Sequence, residues 1–544
     1  MLFSTLSSAL MLCLASVASA QKASIPYPIV GYRVNGTIPL RRNINDLQRE
    51  GGPHWDLFIQ ASAIMRDASP DDPLSFFQVA GIHGLPHVEW NNTGARAQNT
   101  DRWAGYCPHG EPLFLTWHRI YVLLNEQILV DHAREIAGKY PESNRNQYLQ
   151  AAETLRYPYW DWADNSDLPP STASPNLTVN GPQGQESIEN PLAGFKFPAE
   201  ALSGAFGAFD PSPIGSRTEV MRCASPGTFP ASANLQMKSE DFKQLIYDAF
   251  LYSRNFADFA SARGGGLSME EIHNTVHTEA TCFGHFASQP FAAFDPIFTM
   301  HHVSVDRFFS YWEILHQDEA EFTKTYQGGS RWGHPEGNDV TPATPLHPFF
   351  RENGKPHTPR SASPINRFGY TYEGLDFGRQ STFEMQKAVR RIMNEKYSNN
   401  RNALQKRADP EGARPVFLAR FKYNVEEFER PAIIKVFFNN DECGRIIVPE
   451  EPHMGMVGGA VSLEKVLPTT GGANKSVQNI TNSVRVEITR ATGERIPLAK
   501  IPSMKLEMDH MMEVPNKSPE DFPELRDRES IPGQLAEHLI DTRR

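Results

Sequence analysis

Cysteine is scarce in this chain. Five residues in 544 cannot build a disulfide-dense scaffold, and no Cys-x-x-Cys pair occurs among them, so the sequence offers no paired-thiolate metal motif. Basic residues are outnumbered: 53 Lys and Arg stand against 64 Asp and Glu, a formal net charge of −11. That balance gives no electrostatic footprint for nucleic acid. Beyond residue 20 no stretch approaches the ~18 consecutive apolar residues that a membrane helix needs. Residues 1–20 are apolar and close on Ala18-Ser19-Ala20 before Gln21, the pattern of a secretory signal peptide and too short for an anchor. The mature chain is therefore expected to be secreted, extracellular and without a membrane span. With 40% hydrophobic and 22% charged residues it is expected to be globular. Asn-x-Ser/Thr sequences at Asn35, Asn91, Asn176, Asn474, Asn479 and Asn516 agree with a glycoprotein. Of the cysteines, Cys13 falls in the signal peptide. Secretion permits a disulfide between Cys223 and Cys282, with two free thiols as the alternative.

What the chain has instead is histidine in two triplets: His83, His109 and His118, then His273, His277 and His302. In Ser268-Met-Glu-Glu-Ile-His273-Asn-Thr-Val-His277 the two histidines are spaced i, i+4 and share one helix face. One metal ion can touch both, although such a spacing taken alone also fits a chance pair on a solvated helix. The next segment, Phe294-Asp-Pro-Ile-Phe298-Thr-Met300-His301-His302-Val-Ser-Val-Asp306-Arg307, sets a histidine pair in apolar surroundings, where an imidazole needs a partner or a metal. Asp306, one helical turn beyond His302, is placed to accept a ring N–H and orient the ligand. In the first triplet, Pro108 and Gly110 put His109 in a loop, and His118 stands at the start of a helical-period segment from Trp117 to Ala137. Neutral imidazoles suit copper, which heads the divalent affinity order.

The surrounding motifs resemble those of fungal tyrosinases, members of the dinuclear (type 3) copper family of polyphenol oxidases. The resemblance runs from about Pro28 to Tyr372. It is carried by Ser75-Phe-Phe-Gln-Val-Ala-Gly-Ile-His83-Gly-Leu-Pro86, Cys107-Pro-His109, Phe114-Leu-Thr-Trp-His118-Arg119, Tyr157-Pro-Tyr-Trp-Asp-Trp162, Ile272-His-Asn-Thr-Val-His277 and the Phe294 to Arg307 segment. It implies two copper ions, the first bound by His83, His109 and His118 and the second by His273, His277 and His302, with O2 as co-substrate. His87 and His301 compete for these roles; the family pattern favours His83, and the second member of the adjacent pair, leaving His301 in support. Cys107 resembles the cysteine whose sulfur is bonded to a ring carbon of a copper ligand, here His109; a free buried cysteine is the alternative. Glu270 and Asn274 resemble a water-holding pair that takes the phenolic proton, whereas Ser268-Met-Glu-Glu also reads as a helix N-terminal capping sequence. Thr278, Phe294, Phe298 and Met300 are candidates for the pocket lining, with core packing as the alternative. The implied activity is hydroxylation of small monophenols to o-diphenols and oxidation of o-diphenols to o-quinones. A catechol or o-aminophenol oxidase is the near alternative and a haemocyanin-like oxygen carrier the remote one.

Punctuation along the chain gives the organisation. Residues 21–380 read as a mainly α catalytic domain with a helical bundle core, from periodic segments at Asn45 to Ile64, Trp117 to Ala137 and Glu240 to Ala260. Pro/Gly/Ser-rich stretches at 168–198 and 204–230 read as surface connections. Residues 381–413 form a polar linker, helical from Ser381 to Lys396, that carries the dibasic pair Lys406-Arg407. Residues 414–514 show short β-type runs and read as a smaller C-terminal β-sandwich-like domain, and 515–544 as a loosely docked polar tail. By resemblance the chain is a latent proenzyme: the C-terminal domain lies over the copper site until a protease cuts at Lys406-Arg407, a pair that also reads as a solvated charge pair. The loop around Met454-Gly-Met456 is the candidate plug.

Overall fold

The computed structural model describes residues 26–97, 105–319, 322, 324–398, 412–467 and 476–538. The expected signal sequence, residues 1–20, and Lys406-Arg407 lie outside the described residues. Among the described residues the first unit has twelve α-helices: α1 Ile44–Glu50, α2 Gly52–Asp67, α3 Phe76–Gly81, α4 Leu113–Gly138, α5 Glu142–Thr154, α6 Ala199–Leu202, α7 Ala231–Ser239, α8 Phe242–Tyr252, α9 Phe256–Ala260, α10 Met269–Glu279, α11 Ile297–Leu315 and α12 Thr382–Ile392. The long α4 is packed by α2, α5 and α11 and buries residues on every face, as a bundle's central helix must.

Sequence periodicity merges α1 with α2, and α8 with α9; the backbone separates them. Between α1 and α2, Gly51 and Gly52 take φ of 62° and 74°, left-handed values that glycine adopts at little steric cost, and Pro53 then sits in the first turn of α2. The 168–198 connection is not all loop: β1 Asn176–Gly181 and β2 Gly184–Glu189 pair as an antiparallel hairpin. A second small hairpin joins β3 Tyr326–Gln327 to β4 Asp339–Val340.

The C-terminal unit is all β in its framework. One sheet has the order β11-β10-β5-β8 and the other β7-β6-β9, built from β5 Arg414–Asn424, β6 Ala432–Phe438, β7 Asp441–Val448, β8 Met456–Ser462, β9 Val484–Arg490, β10 Lys505–Val514 and β11 Glu524–Gly533. A core separate from the helical one, including Phe421, Ile434, Val436, Val486 and Met508, lies between the sheets, as a sandwich requires.

Two of the expected boundaries shift. The tail is not loose: β11 pairs antiparallel with β10, and its charged side chains suit an exposed edge strand. The linker helix belongs to the catalytic body. Ser381 and Glu384 form a reciprocal cap on α12, and the π-turn Met393–Tyr397 follows. There Lys396 Nζ and Tyr397 Oη reach the buried Asp161 at 2.7 and 3.0 Å, which also pairs with Arg307 at 3.0 Å. Asn394 Nδ2 donates to the carbonyls of Pro519 and Asp521 at 2.8 and 2.7 Å, so this turn joins both units.

Candidate metal centre

The histidines of each triplet come together at the centre of the helical unit. α4 supplies His118, α10 supplies His273 and His277 on one face, and α11 supplies His302; the loop after α3 carries His83 and the loop before α4 carries His109. His83, Cys107, His109 and His118 form one cluster of ligand atoms, and His273, His277, His301 and His302 another, each within 4.8 Å. The two groups face each other: the rings of His118 and His302 stack with centroids 4.3 Å apart.

Oxygen acceptors fix which nitrogen looks inward in the rings of His83, His118, His273 and His277. His118 Nδ1 lies 2.8 Å from the Phe114 carbonyl, His83 Nδ1 3.2 Å from that of Gln289, and His277 Nδ1 2.6 Å from that of Phe286. His273 Nδ1 meets the Glu270 carbonyl at 3.3 Å and Asn274 Oδ1 at 3.1 Å. A proton held on Nδ1 by an oxygen acceptor leaves the lone pair on Nε2, the arrangement of metal-binding histidines. In the second cluster the Nε2 atoms of His273 and His277 lie 3.2 and 3.3 Å from Nε2 of His302. Nitrogens ~2.0 Å from one ion at tetrahedral angles stand about 3.3 Å apart, so these three fit a single metal. In the first, the ring centroids of His83, His109 and His118 form a near-equilateral triangle with sides of 5.4, 5.6 and 5.7 Å. His83 Nε2 is buried with no protein hydrogen-bond partner, as an inward-facing ligand atom is expected to be. Burial holds the site histidines well below the ordinary imidazole value, and His277 at about 4, so they are neutral donors.

Other expected residues divide. Cys107 is buried, not in a disulfide, and its Sγ lies 3.5 and 3.8 Å from Nδ1 and Nε2 of His109, the two atoms flanking Cε1. Phe298 stacks on His302 at 4.2 Å and meets His83 edge-on at 4.8 Å, a floor shared by both triplets. His301 stacks on His273 at 5.0 Å, with neither ring nitrogen in a protein hydrogen bond. Thr278 is buried and its hydroxyl donates back to the Thr275 carbonyl at 3.0 Å. Phe294 is not a lining residue: its ring packs among Phe77, Phe195, Phe197 and Phe209. Met300 is fully buried in the core, where its carbonyl accepts from Trp160 N–H at 3.2 Å.

Asp306 does not orient His302. Its carboxylate accepts from Arg41 Nη1 at 3.0 Å, Arg119 Nε at 2.5 Å, Tyr370 Oη at 2.8 Å and Tyr372 Oη at 2.7 Å. Two buried guanidinium groups and two phenols therefore claim its lone pairs. Burial alone would raise this carboxyl, but Arg119 and Arg41 outweigh it and hold the group below the usual range. Glu270 is buried, not an exposed helix-start acid. Its two oxygens accept from Gly110 N–H at 2.6 Å and Ala262 N–H at 2.9 Å, tying the His109 loop to α10. Burial pushes its carboxyl up to about 8 against the pull of those two donors. The Cys223–Cys282 disulfide is formed.

The connection between β7 and β8 lies over the first cluster. Glu451, Pro452, His453 and Met454 face Cys107, His109, Glu111 and Gln289 across a small cavity of about 30 Å³. Pro452 sits so close to Gly110 that a Cβ there would stand 2.5 Å from its Cγ. Ser288 Oγ and Glu450 Oε2 are 3.2 Å apart. Met456, by contrast, is about half exposed (48%). Pro452 and Gln289 carried no sequence signal, since neither belongs to a periodic segment and their roles arise from contacts remote in sequence.

A family model described as "Common central domain of tyrosinase" matches residues 73–315. The chain is 32% identical over 393 residues to a tyrosinase of Podospora anserina, covering 67% of each sequence. It is 31% identical over 382 residues to polyphenol oxidase 2 of Agaricus bisporus, covering 67% of this chain and 66% of that protein. Among solved structures, a recombinant mushroom tyrosinase superposes with a TM-score of 0.76 at 21% identity, covering 94% of this chain and all (100%) of that one. The shared fold thus takes in the β unit as well as the helical one.

Proposed function

Since this chain belongs to the tyrosinase family, whose members bind two copper ions through two histidine clusters and use dioxygen, we propose that it hydroxylates small monophenols to o-diphenols and oxidises o-diphenols to o-quinones. The observation that carries this reading is the pair of facing triplets, with the outer nitrogens of His83, His118, His273 and His277 held by oxygen acceptors. Bound copper supplies the redox chemistry with dioxygen. The chain's own residues bind and orient. Backbone carbonyls of Phe114, Phe286 and Gln289 set the tautomers, and Phe298 offers an apolar floor beneath both triplets. A phenol with a pKa of about 10 must shed its proton to bind as phenolate, which calls for a base. We assign that proton to a water held by Glu270 and Asn274: a carboxyl near neutrality can take a proton and return it. One observation favours the second reading, a catechol oxidase: both Glu270 oxygens already accept backbone N–H groups, a structural duty that leaves less basicity to spare.

The same proposal includes latency. Seating of Pro452, His453 and Met454 against Cys107 and His109 supports a C-terminal domain that obstructs the first cluster, with release following cleavage within residues 399–411, where Lys406-Arg407 lies. Secretion and the Cys107 to His109 thioether belong to this reading as well.

Oxygen uptake by copper-loaded protein, cut after Arg407 and compared with the intact chain, tests it with a monophenol and the matching catechol. Turnover of both by the cut form alone is expected. Turnover of catechol alone moves the function to catechol oxidase, and equal rates for intact and cut protein remove the latency.

A further inference from the structure

His109 is the member of its triplet whose Nδ1 meets a side chain where His83 and His118 meet backbone carbonyls. That side chain is Gln289, whose amide nitrogen Nε2 lies 2.7 Å from Nδ1, a place its oxygen takes when the amide turns by 180°. The carbonyl of the same residue accepts from His83 Nδ1 at 3.2 Å, and three residues earlier the Phe286 carbonyl holds His277. One short segment of the chain therefore touches the outer nitrogens of three site histidines drawn from both clusters.

This segment is built to be rigid. The disulfide between Cys223 and Cys282 closes its base. Met221 N–H donates to His285 Nδ1 at 2.9 Å and the His285 N–H to the Met221 carbonyl at 3.1 Å. Gly284 is obligatory there, because a Cβ would stand 2.2 Å from the Met221 carbonyl oxygen. On the far side, Leu85 N–H donates to the Pro290 carbonyl at 2.9 Å, which fixes the loop that bears His83.

We propose that Gln289 is a positioning residue of the first copper site, holding the His109 ring so that Nε2 faces the metal. A primary amide serves this purpose because its oxygen can accept the Nδ1 proton, whereas its nitrogen, in the same place, donates to a bare Nδ1 and would leave the proton on the ligating nitrogen. The ligating state is therefore the one reached when the amide turns by 180°, so that its oxygen replaces Nε2 opposite His109 Nδ1. An acceptor at position 289 is required; an amide as such is not. Ser288, its neighbour, contacts Glu450 of the β unit, so the support is reached from both units.

The test measures copper occupancy of the two sites separately, by anomalous diffraction from crystals of the full chain equilibrated against a graded copper chelator. Loss of an outer hydrogen bond to a metal-binding histidine weakens binding about 10- to 100-fold. Gln289→Leu is expected to lower occupancy of the His83/His109/His118 site by that factor while the His273/His277/His302 site titrates as in the parent. Gln289→Glu, an acceptor in the same position, is expected to restore it. If Gln289→Leu fails to fold, Gln289→Asn, one carbon too short to reach, takes its place with the same expectation. Parent-like occupancy in the Leu or Asn variant overturns the proposal, as does equal weakening at both sites or failure of Glu to restore binding.

Discussion

Arg445 on β7 enters the helical unit as a cation between two acids. Its Nε lies 2.5 Å from Glu240 and its Nη1 3.1 Å from Glu279, with Nη2 2.8 Å from Ser239 Oγ. The three side chains are 18%, 10% and 3% exposed. Replacing Arg445 by Met keeps much of the stem's packing and leaves two buried carboxylates without their counter-ion. Removing one partner of a buried pair costs about 3–5 kcal/mol. Partial solvent access to Arg445 argues for the lower figure, and ~3 kcal/mol corresponds to roughly a 100-fold weaker association. The assay is sedimentation of protein carrying a specific protease site within residues 399–411, cut and then diluted: Arg445→Met should separate into two pieces at roughly 100-fold higher concentration than the parent. A variant that also carries Glu240→Gln and Glu279→Gln should recover most of the loss, since the buried charges are then gone. Equal dissociation constants for parent and Arg445→Met would refute the reasoning, and so would a triple variant weaker than the single one.

Glu270→Gln should lose monophenol hydroxylation more than catechol oxidation, read as the ratio of the two oxygen-uptake rates; equal losses would return Glu270 to a purely structural role. Asp306→Asn leaves Arg41 and Arg119 short of a buried charge and should destabilise the helical unit by about 3 kcal/mol or more, seen as a lowered chemical-denaturation midpoint. His357 is buried, with its ring nitrogens 2.9 Å from the Ile29 carbonyl and 3.1 Å from Ser361 Oγ, and burial lowers it to about 4. Its folded value lies below its unfolded one, so the stability it permits is complete above pH ~6.5 and falls as the pH drops towards 4, by about 3 kcal/mol in all. A His357→Gln variant should show a flatter unfolding curve over that interval, and an unchanged slope would count against the assignment. In copper-matured protein, the peptide from Cys107 to His109 should be lighter by two hydrogen atoms, and an unshifted mass would leave Cys107 as a thiol.

Local chemistry made part of this architecture legible. The His273/His277 face follows from helical spacing alone, the Ser381 cap announces α12, and β-type runs at 415–421, 432–438 and 484–489 mark three strands of the sandwich. What stayed hidden depends on partners far along the chain. Asp306 looks like a histidine's support when only its own helix is considered, yet Arg41 reaches it across 265 positions. Phe294 and Phe298 are one turn apart and alike in composition, but they fall on different sides of α11's start, one among phenylalanines and the other under the histidines. β11 reads as a solvated tail because an edge strand needs few apolar residues; its pairing is carried by backbone groups that composition does not report.

The π-turn that binds Asp161 with one side and the Pro519 and Asp521 carbonyls with the other sets where the chain passes from one unit to the next. While that connection is whole, the β unit meets its docking face at an effective concentration in the millimolar range, as a short tether imposes. Even a weak interface stays filled under those conditions. Cutting within 399–411 removes no contact among the described residues; it exchanges a fixed local concentration for the bulk one. On the proposed latency, opening then becomes a matter of dilution.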